Sequence, residues 1–174
     1  VGFAKAVEIA IAEMNDENRK YKKWTDEMLE KFAAVGGKLN GHPTNRLLHN
    51  LNIGFEGIES KAIINSVSKK IAISAGSACT TQNVEPSHVL LSLGLSEEQS
   101  HYAIRIGCGR FNSDKDIEVA TSEILNSLES LNKIRIQWNI FLGLVNYNYM
   151  NNCKDVSELL ISMIILNSLE LHFW

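Results

Sequence analysis

Along the first 37 residues, apolar side chains fall at Phe3, Val7, Ile11, Met14, Tyr21, Trp24, Met28 and Phe32. Steps of three, four and seven residues keep them close to one face of a helix that turns every 3.6 residues. The spacing predicts one long helix over 1–36, with Asn15 as its candidate break. Gly36-Gly37 closes it, because a glycine past the last turn takes the left-handed conformation that ends a helix. "HNLNIGF" (49–55) then alternates polar and apolar, the period of a half-buried strand. Helical spacing returns over 59–70, and "IAIS" (71–74) reads as a short strand. Pro86 suits the first turn of a helix over 86–94, where a missing N–H costs nothing, and Gly94 ends that helix. Ser96 and Gln99 have capping-box spacing, and 102–107 alternates as a further strand. "SDKD" (113–116) opens a helix to about Lys133, with Ile117, Ala120, Ile124 and Leu128 on its apolar face.

Two or three strands interleaved with helices predict an α/β domain with helices packed on a short sheet. The expected organisation is a connecting helix over 1–36, a small domain over 37–133 containing a loop at 74–86, and a divergent apolar tail over 134–174. That tail is rich in Ile, Leu and Asn and is assigned no function; an amphipathic helix and non-native sequence are both open readings of it. Its "LLISMIIL" (159–166) falls short of the roughly 20 apolar residues that span a bilayer, so no membrane association is expected. The first residue is Val1, not Met, and the chain is expected to begin inside a longer protein.

With 174 residues, 45% hydrophobic and 21% charged, the chain has the balance of a globular protein able to bury a core. A net charge of -3 argues against nucleic acid as a partner, since phosphate binding needs a clustered basic surface. The basic run "RKYKK" (19–23) is expected to be the solvated face of the first helix. The three cysteines show no CxxC and no Cys/His spacing, which argues against a disulfide framework and a structural zinc site. Reduced thiols fit the cytoplasm or an organelle matrix.

One of those thiols stands apart. In "SAGSACTTQNVEPSHVL" (74–90), the Ser, Gly, Ala and Thr around Cys79 are too small to enclose it. Gly76 and Ser77 suit a loop that bends or moves. An accessible thiol is what covalent catalysis or sulfur relay requires, because the thiolate is the nucleophile. Cys108 and Cys153 read instead as small buried hydrophobes. Arg105 has two readings: a planar fork that grips a carboxylate through two hydrogen bonds, or an ion-paired arginine at a strand end. Arg110 is expected near the N-terminus of the following helix in a structural role. His88 and His101 are expected to be surface or packing histidines, not acid/base partners of Cys79.

The ordered series "SAGSACT", "EPSHVL", "LGL" and "IRIGCGRF" resembles the carboxy-terminal part of the cysteine desulfurases, the NifS/IscS-like enzymes of the class-V aminotransferase family. The motifs keep family order and spacing over about sixty residues, with looser similarity from Val1 to about Leu131. The resemblance implies the small C-terminal domain of a PLP-dependent transferase of fold type I. It implies pyridoxal 5'-phosphate (PLP) as cofactor, L-cysteine as substrate, and Cys79 as the thiol that takes the sulfur as a persulfide and leaves alanine. Arg105 then grips the substrate carboxylate, while Gly76, Ser77, Thr80 and Glu85 shape a long IscS-type loop. The complete protein would be a homodimer passing sulfur to acceptors such as an iron–sulfur scaffold protein, or to tRNA thiolation. Two other readings stay open: a non-catalytic persulfide carrier, and a lyase acting on selenocysteine.

The resemblance also implies an absence. The family's Ser/Thr-x-His-Lys segment, which carries the PLP lysine, has no counterpart here, and Lys61, Lys69 and Lys70 lie on a small-domain helix. Without the lysine and its pyridinium partner the electron sink has no site, so the chain alone is expected to be inactive. "LHNLN" (48–52) stands where relatives read Pro-Asn-(Ile/Thr)-Leu-Asn, and the family pattern is lost after about Ile134.

Overall fold

The structure, a computed structural model, describes residues 1–76 and 86–150, the side chains of 144–150 excepted. The first helix, α1 (Gly2–Ala34), runs through Asn15 without a break. The expected break does not occur because neither glycine nor proline interrupts 3–34, and one asparagine costs a helix only a few tenths of a kcal/mol. Gly36, at φ 89°, turns the chain out of the helix, with its N–H on the Ala33 carbonyl at 3.0 Å. Gly37 follows with no room for a side chain: a Cβ there would lie 2.8 Å from the Phe32 carbonyl oxygen.

Gly37 opens β1 (Gly37–Leu39), a strand the sequence pattern did not predict. The chain continues through β2 (Asn50–Phe55), α2 (Ser60–Val67), β3 (Ser74–Ala75), α3 (His88–Ser92), α4 (Glu97–His101), β4 (Ala103–Gly107) and α5 (Asp114–Met150). The strands form one antiparallel sheet in the order β1-β2-β4-β3, which bears out the α/β reading with one strand more than expected. On β2 the alternation is complete: Leu51, Ile53 and Phe55 are buried while Asn50, Asn52 and Gly54 face the other side.

Several local signals are realised as expected. Ser96 Oγ accepts from Gln99 N–H at 3.1 Å, and Gln99 Oε1 accepts from Ser96 N–H at 2.9 Å, completing the capping box. Gly94, at φ 90°, ends α3 in a Schellman arrangement, with Leu95 N–H on the Leu90 carbonyl and Gly94 N–H on that of Leu91. Ser113 Oγ accepts from Asp116 N–H at 3.3 Å and caps α5.

Three elements depart from expectation. The strand expected over 71–74 is only Ser74–Ala75, because Ile71 N–H still bonds the Val67 carbonyl at 3.0 Å and is held by the turn that follows α2. The N-cap of α3 is Ser87, so Pro86 sits before the helix instead of in its first turn. α5 passes Lys133 and reaches Met150, since no glycine or proline interrupts it before Gly143.

The chain divides into two units, Val1–Glu129 and Ser130–Trp174. In the first, the apolar stripe of α1 is packed only along its second half. Tyr21, Trp24, Met28 and Phe32 are buried, whereas Phe3, Val7, Ile11 and Met14 are exposed. The packed half meets a core formed by Leu51, Ile53, Phe55, Ile63, Val67, Ile104, Ile124 and Leu128, with Phe32 edge-on to Phe55 at 5.8 Å. Each such side chain contributes about 1.5–3 kcal/mol by leaving water. In the second unit, Trp138 and Phe141 meet edge to face at 5.8 Å, and Ile134, Ile136, Ile140 and Leu142 are exposed.

Candidate functional site

Burial of Ile104 and Ile106 forces the residue between them to the opposite face of the sheet, and that residue is Arg105. Register then sets its neighbours: Asn52 of β2 stands opposite Arg105 on one side, and Ser74 of β3 on the other. Arg105 Nε donates to Ser74 Oγ at 3.2 Å, and Asn40 Nδ2 donates to Asn52 Oδ1 at 2.8 Å. A polar row thus crosses three strands on the face away from the apolar core. Among the described residues no carboxylate approaches within 4.0 Å of the Arg105 guanidinium. The ion-paired reading of Arg105 finds no partner there.

Arg105 separates two hollows of about 550 Å³ each, a size suited to a small ligand. One lies against His49, Ile73, Ser74 and Gly107. The other is a cleft lined by Asn40, Asn52, Gly76, Pro86, His88 and Arg105. Ser77, Cys79, Thr80 and Glu85 lie outside the described residues, as does Cys153. The chain enters and leaves 77–85 through Gly76 and Pro86, and both of these line the cleft that holds Arg105.

Gly76 was expected for its freedom to bend. Its φ is not positive, and the requirement is space: a Cβ there would lie 2.8 Å from Leu90 Cδ1 and 2.9 Å from the Ala103 Cβ. Its N–H donates to the Ala103 carbonyl at 2.7 Å, which fastens the start of the loop to β4. His88 is exposed as the first residue of α3, on the cleft wall, and His101, the last residue of α4, does not line it.

Cys108 is buried, as its sequence reading expected, and burial pushes its thiol pKa up. Arg110 has the structural contacts expected of it, but its partners lie on α1. It pairs with Glu13 at 3.0 Å and Glu17 at 2.9 Å, both on α1, so it clips the segment after β4 onto the first helix. Lys20 joins it, donating to the Asn112 carbonyl at 2.8 Å with its ammonium 4.4 Å from the Trp24 ring centre. The basic run is therefore not wholly a solvated face. Asn40, Asn52 and Ser74 were missed as site residues. Asn52 was visible on the polar phase of the 49–55 alternation, but cross-strand register is not written in that alternation, and Asn40 lies outside it.

A PLP site needs an amine for the aldehyde and an acid for the pyridine nitrogen. Neither hollow is lined by a lysine or a carboxylate, so the residues lining them do not fit PLP by themselves. No metal-ligating cluster of His, Cys, Asp and Glu occurs among the described residues. No helix among them is long and apolar enough to cross a membrane.

Residues 1–119 match the aminotransferase class-V family. The cysteine desulfurase IscS of Rickettsia typhi is 37% identical over 142 residues, covering 79% of this chain and 34% of that protein. The cysteine desulfurase IscS of Ruthia magnifica subsp. Calyptogena magnifica is also 37% identical over 142 residues, covering 81% and 35%. The chain thus spans about a third of the length of the curated relatives it matches. Among solved structures, a NifS-like protein from Rickettsia africae superposes with a TM-score of 0.63 at 22% identity, over 74% of this chain and 33% of its own. A second NifS-like protein gives 0.61 at 21% identity, over 74% and 32%. At that identity the likeness is one of fold.

Proposed function

From the premise that this chain belongs to the class-V aminotransferase family, we propose that it is the sulfur-accepting part of a cysteine desulfurase. Cys79 is the acceptor thiol and Arg105 holds the substrate carboxylate. The observation that carries this reading is the convergence of Gly76, Pro86 and Arg105 on one cleft. The residues on either side of 77–85 line the same cleft as the guanidinium.

The net reaction is L-cysteine plus the Cys79 thiol giving alanine plus a Cys79 persulfide. One carbon–sulfur bond breaks, one sulfur–sulfur bond forms, and the protons balance without an added oxidant. PLP would supply the electron sink, and no residue lining the hollows is assigned to hold it. The sulfur would go on to iron–sulfur cluster assembly or tRNA thiolation in a homodimeric complete protein.

The same lack of a lysine or acid at the clefts favours a second reading, a persulfide carrier loaded by a partner. Intact mass separates the two. The complete PLP-bearing protein is incubated with L-cysteine beside its Cys79→Ser variant. A gain of one sulfur in the wild type alone supports the desulfurase reading. A gain that requires a separate cysteine desulfurase supports the carrier, and no gain in either setting overturns both.

A further inference from the structure

An arginine fork can meet a carboxylate side-on, through Nε and one terminal nitrogen, or end-on, through both terminal nitrogens. Here Nε is already committed to Ser74 Oγ at 3.2 Å. The two terminal nitrogens are what remains to face a ligand. Asn52 lies directly across the β2–β4 ladder from Arg105, at the spacing where cross-strand side chains interact. Its Oδ1 is held by Asn40 Nδ2 at 2.8 Å, which leaves its NH2 as the group available to the cleft it lines.

Taking Arg105 as the carboxylate grip of the proposed function, we propose that Ser74 is its positioning residue. By occupying Nε, Ser74 makes the fork bind the carboxylate end-on, beside the Asn52 amide donor. Ser74 lies three residues before position 77, on the strand whose pairing with β4 fastens the loop's entry. The hydrogen bond therefore ties the orientation of the grip to the position from which the cysteine loop departs. The ligand class is a small amino acid recognised by its α-carboxylate.

The test follows the Arg105 side-chain Nε–H by nitrogen-15 NMR in the full chain, with the signal assigned by its loss in Arg105→Lys. L-cysteine is the probe, and cysteamine, which lacks the carboxylate, is the control. The expected result is a shift with L-cysteine and none with cysteamine. Ser74→Ala should weaken L-cysteine binding roughly three- to tenfold, the size of one net hydrogen bond, and speed exchange of the Nε proton with water. Ser74→Thr, which keeps the hydroxyl, should restore both, and amide dispersion verifies that each variant is folded. Equal binding and exchange in wild type and Ser74→Ala would overturn the positioning role while leaving Arg105 as the grip. No shift with L-cysteine in the wild type would overturn the grip, and the inference with it.

Discussion

The indole Nε1 of Trp24, in the buried half of α1, donates a hydrogen bond to the carboxylate of Asp114, the first residue of α5, ninety positions along the chain. Trp24 is 1% exposed, so its N–H would otherwise lack a partner, and a buried donor without one is costly. The bond fixes the start of the last helix against the first. It also holds the Asp114 carboxyl below its ordinary pKa, with the Lys23 ammonium adding to the effect.

That depression sets a pH dependence. A carboxylate whose folded pKa is lowered stabilises the fold above its unfolded pKa, near 3.9, and the contribution is lost as pH falls through the folded value. Asp116, lowered by hydrogen bonds from the Ser113 backbone and side chain, acts in the same sense. Asp114→Asn should lower stability to urea at pH 7. The gap from wild type should narrow below about pH 4, as the wild-type carboxyl also loses its charge. Urea titrations at pH 7, 4 and 3 measure the gap, and a constant gap would contradict the charge effect.

The two halves of α1 should respond in opposite ways to truncation. Phe32 is fully buried against Phe55, so Phe32→Ala should cost about 3–5 kcal/mol. Phe3 is 85% exposed, and Phe3→Ala should change stability by less than about 0.5 kcal/mol. Denaturant midpoints for the pair report which part of the stripe is packed.

At Gly76 even one methyl group is too many. The Cβ would press on the end of Leu90, which can shift, and on the Ala103 Cβ, which cannot. Gly76→Ala should destabilise by about 1–3 kcal/mol, read from urea unfolding. A neutral substitution would mean that loop entry tolerates rearrangement.

Cys108 makes an alkaline prediction. Its folded pKa is raised by burial, so its contribution is fully present below the unfolded pKa and is lost as pH rises toward the folded one. Stability should therefore begin to fall above about pH 8.5, and Cys108→Ala should flatten that fall while costing about 1 kcal/mol at pH 7. Thermal melts from pH 7 to pH 10 decide it.

Signals confined to a few neighbouring residues were legible from the sequence. The Ser96–Gln99 box, the Gly94 stop and the alternation of 50–55 are each set by residues within one turn or one pleat. β1 was not legible, because Gly37–Leu39 is too short to alternate and exists through its pairing with Ile53, Gly54 and Phe55. The same holds for the partners of Arg110, two glutamates more than ninety positions earlier. At the candidate site, Arg105 was singled out by the family resemblance, its chemistry alone leaving two readings open. Ser74 and Asn52 were missed because their meeting with it depends on strand order and register, which no local pattern encodes.

The most direct measurement compares two thiol reagents on Cys79, iodoacetate and neutral iodoacetamide, in the wild type and in Arg105→Gln. If Arg105 holds a carboxylate where Cys79 can reach it, Arg105→Gln should slow iodoacetate labelling of Cys79 several-fold while iodoacetamide labelling is unchanged. Equal effects on both reagents, or on neither, would contradict a shared site for the thiol and the guanidinium.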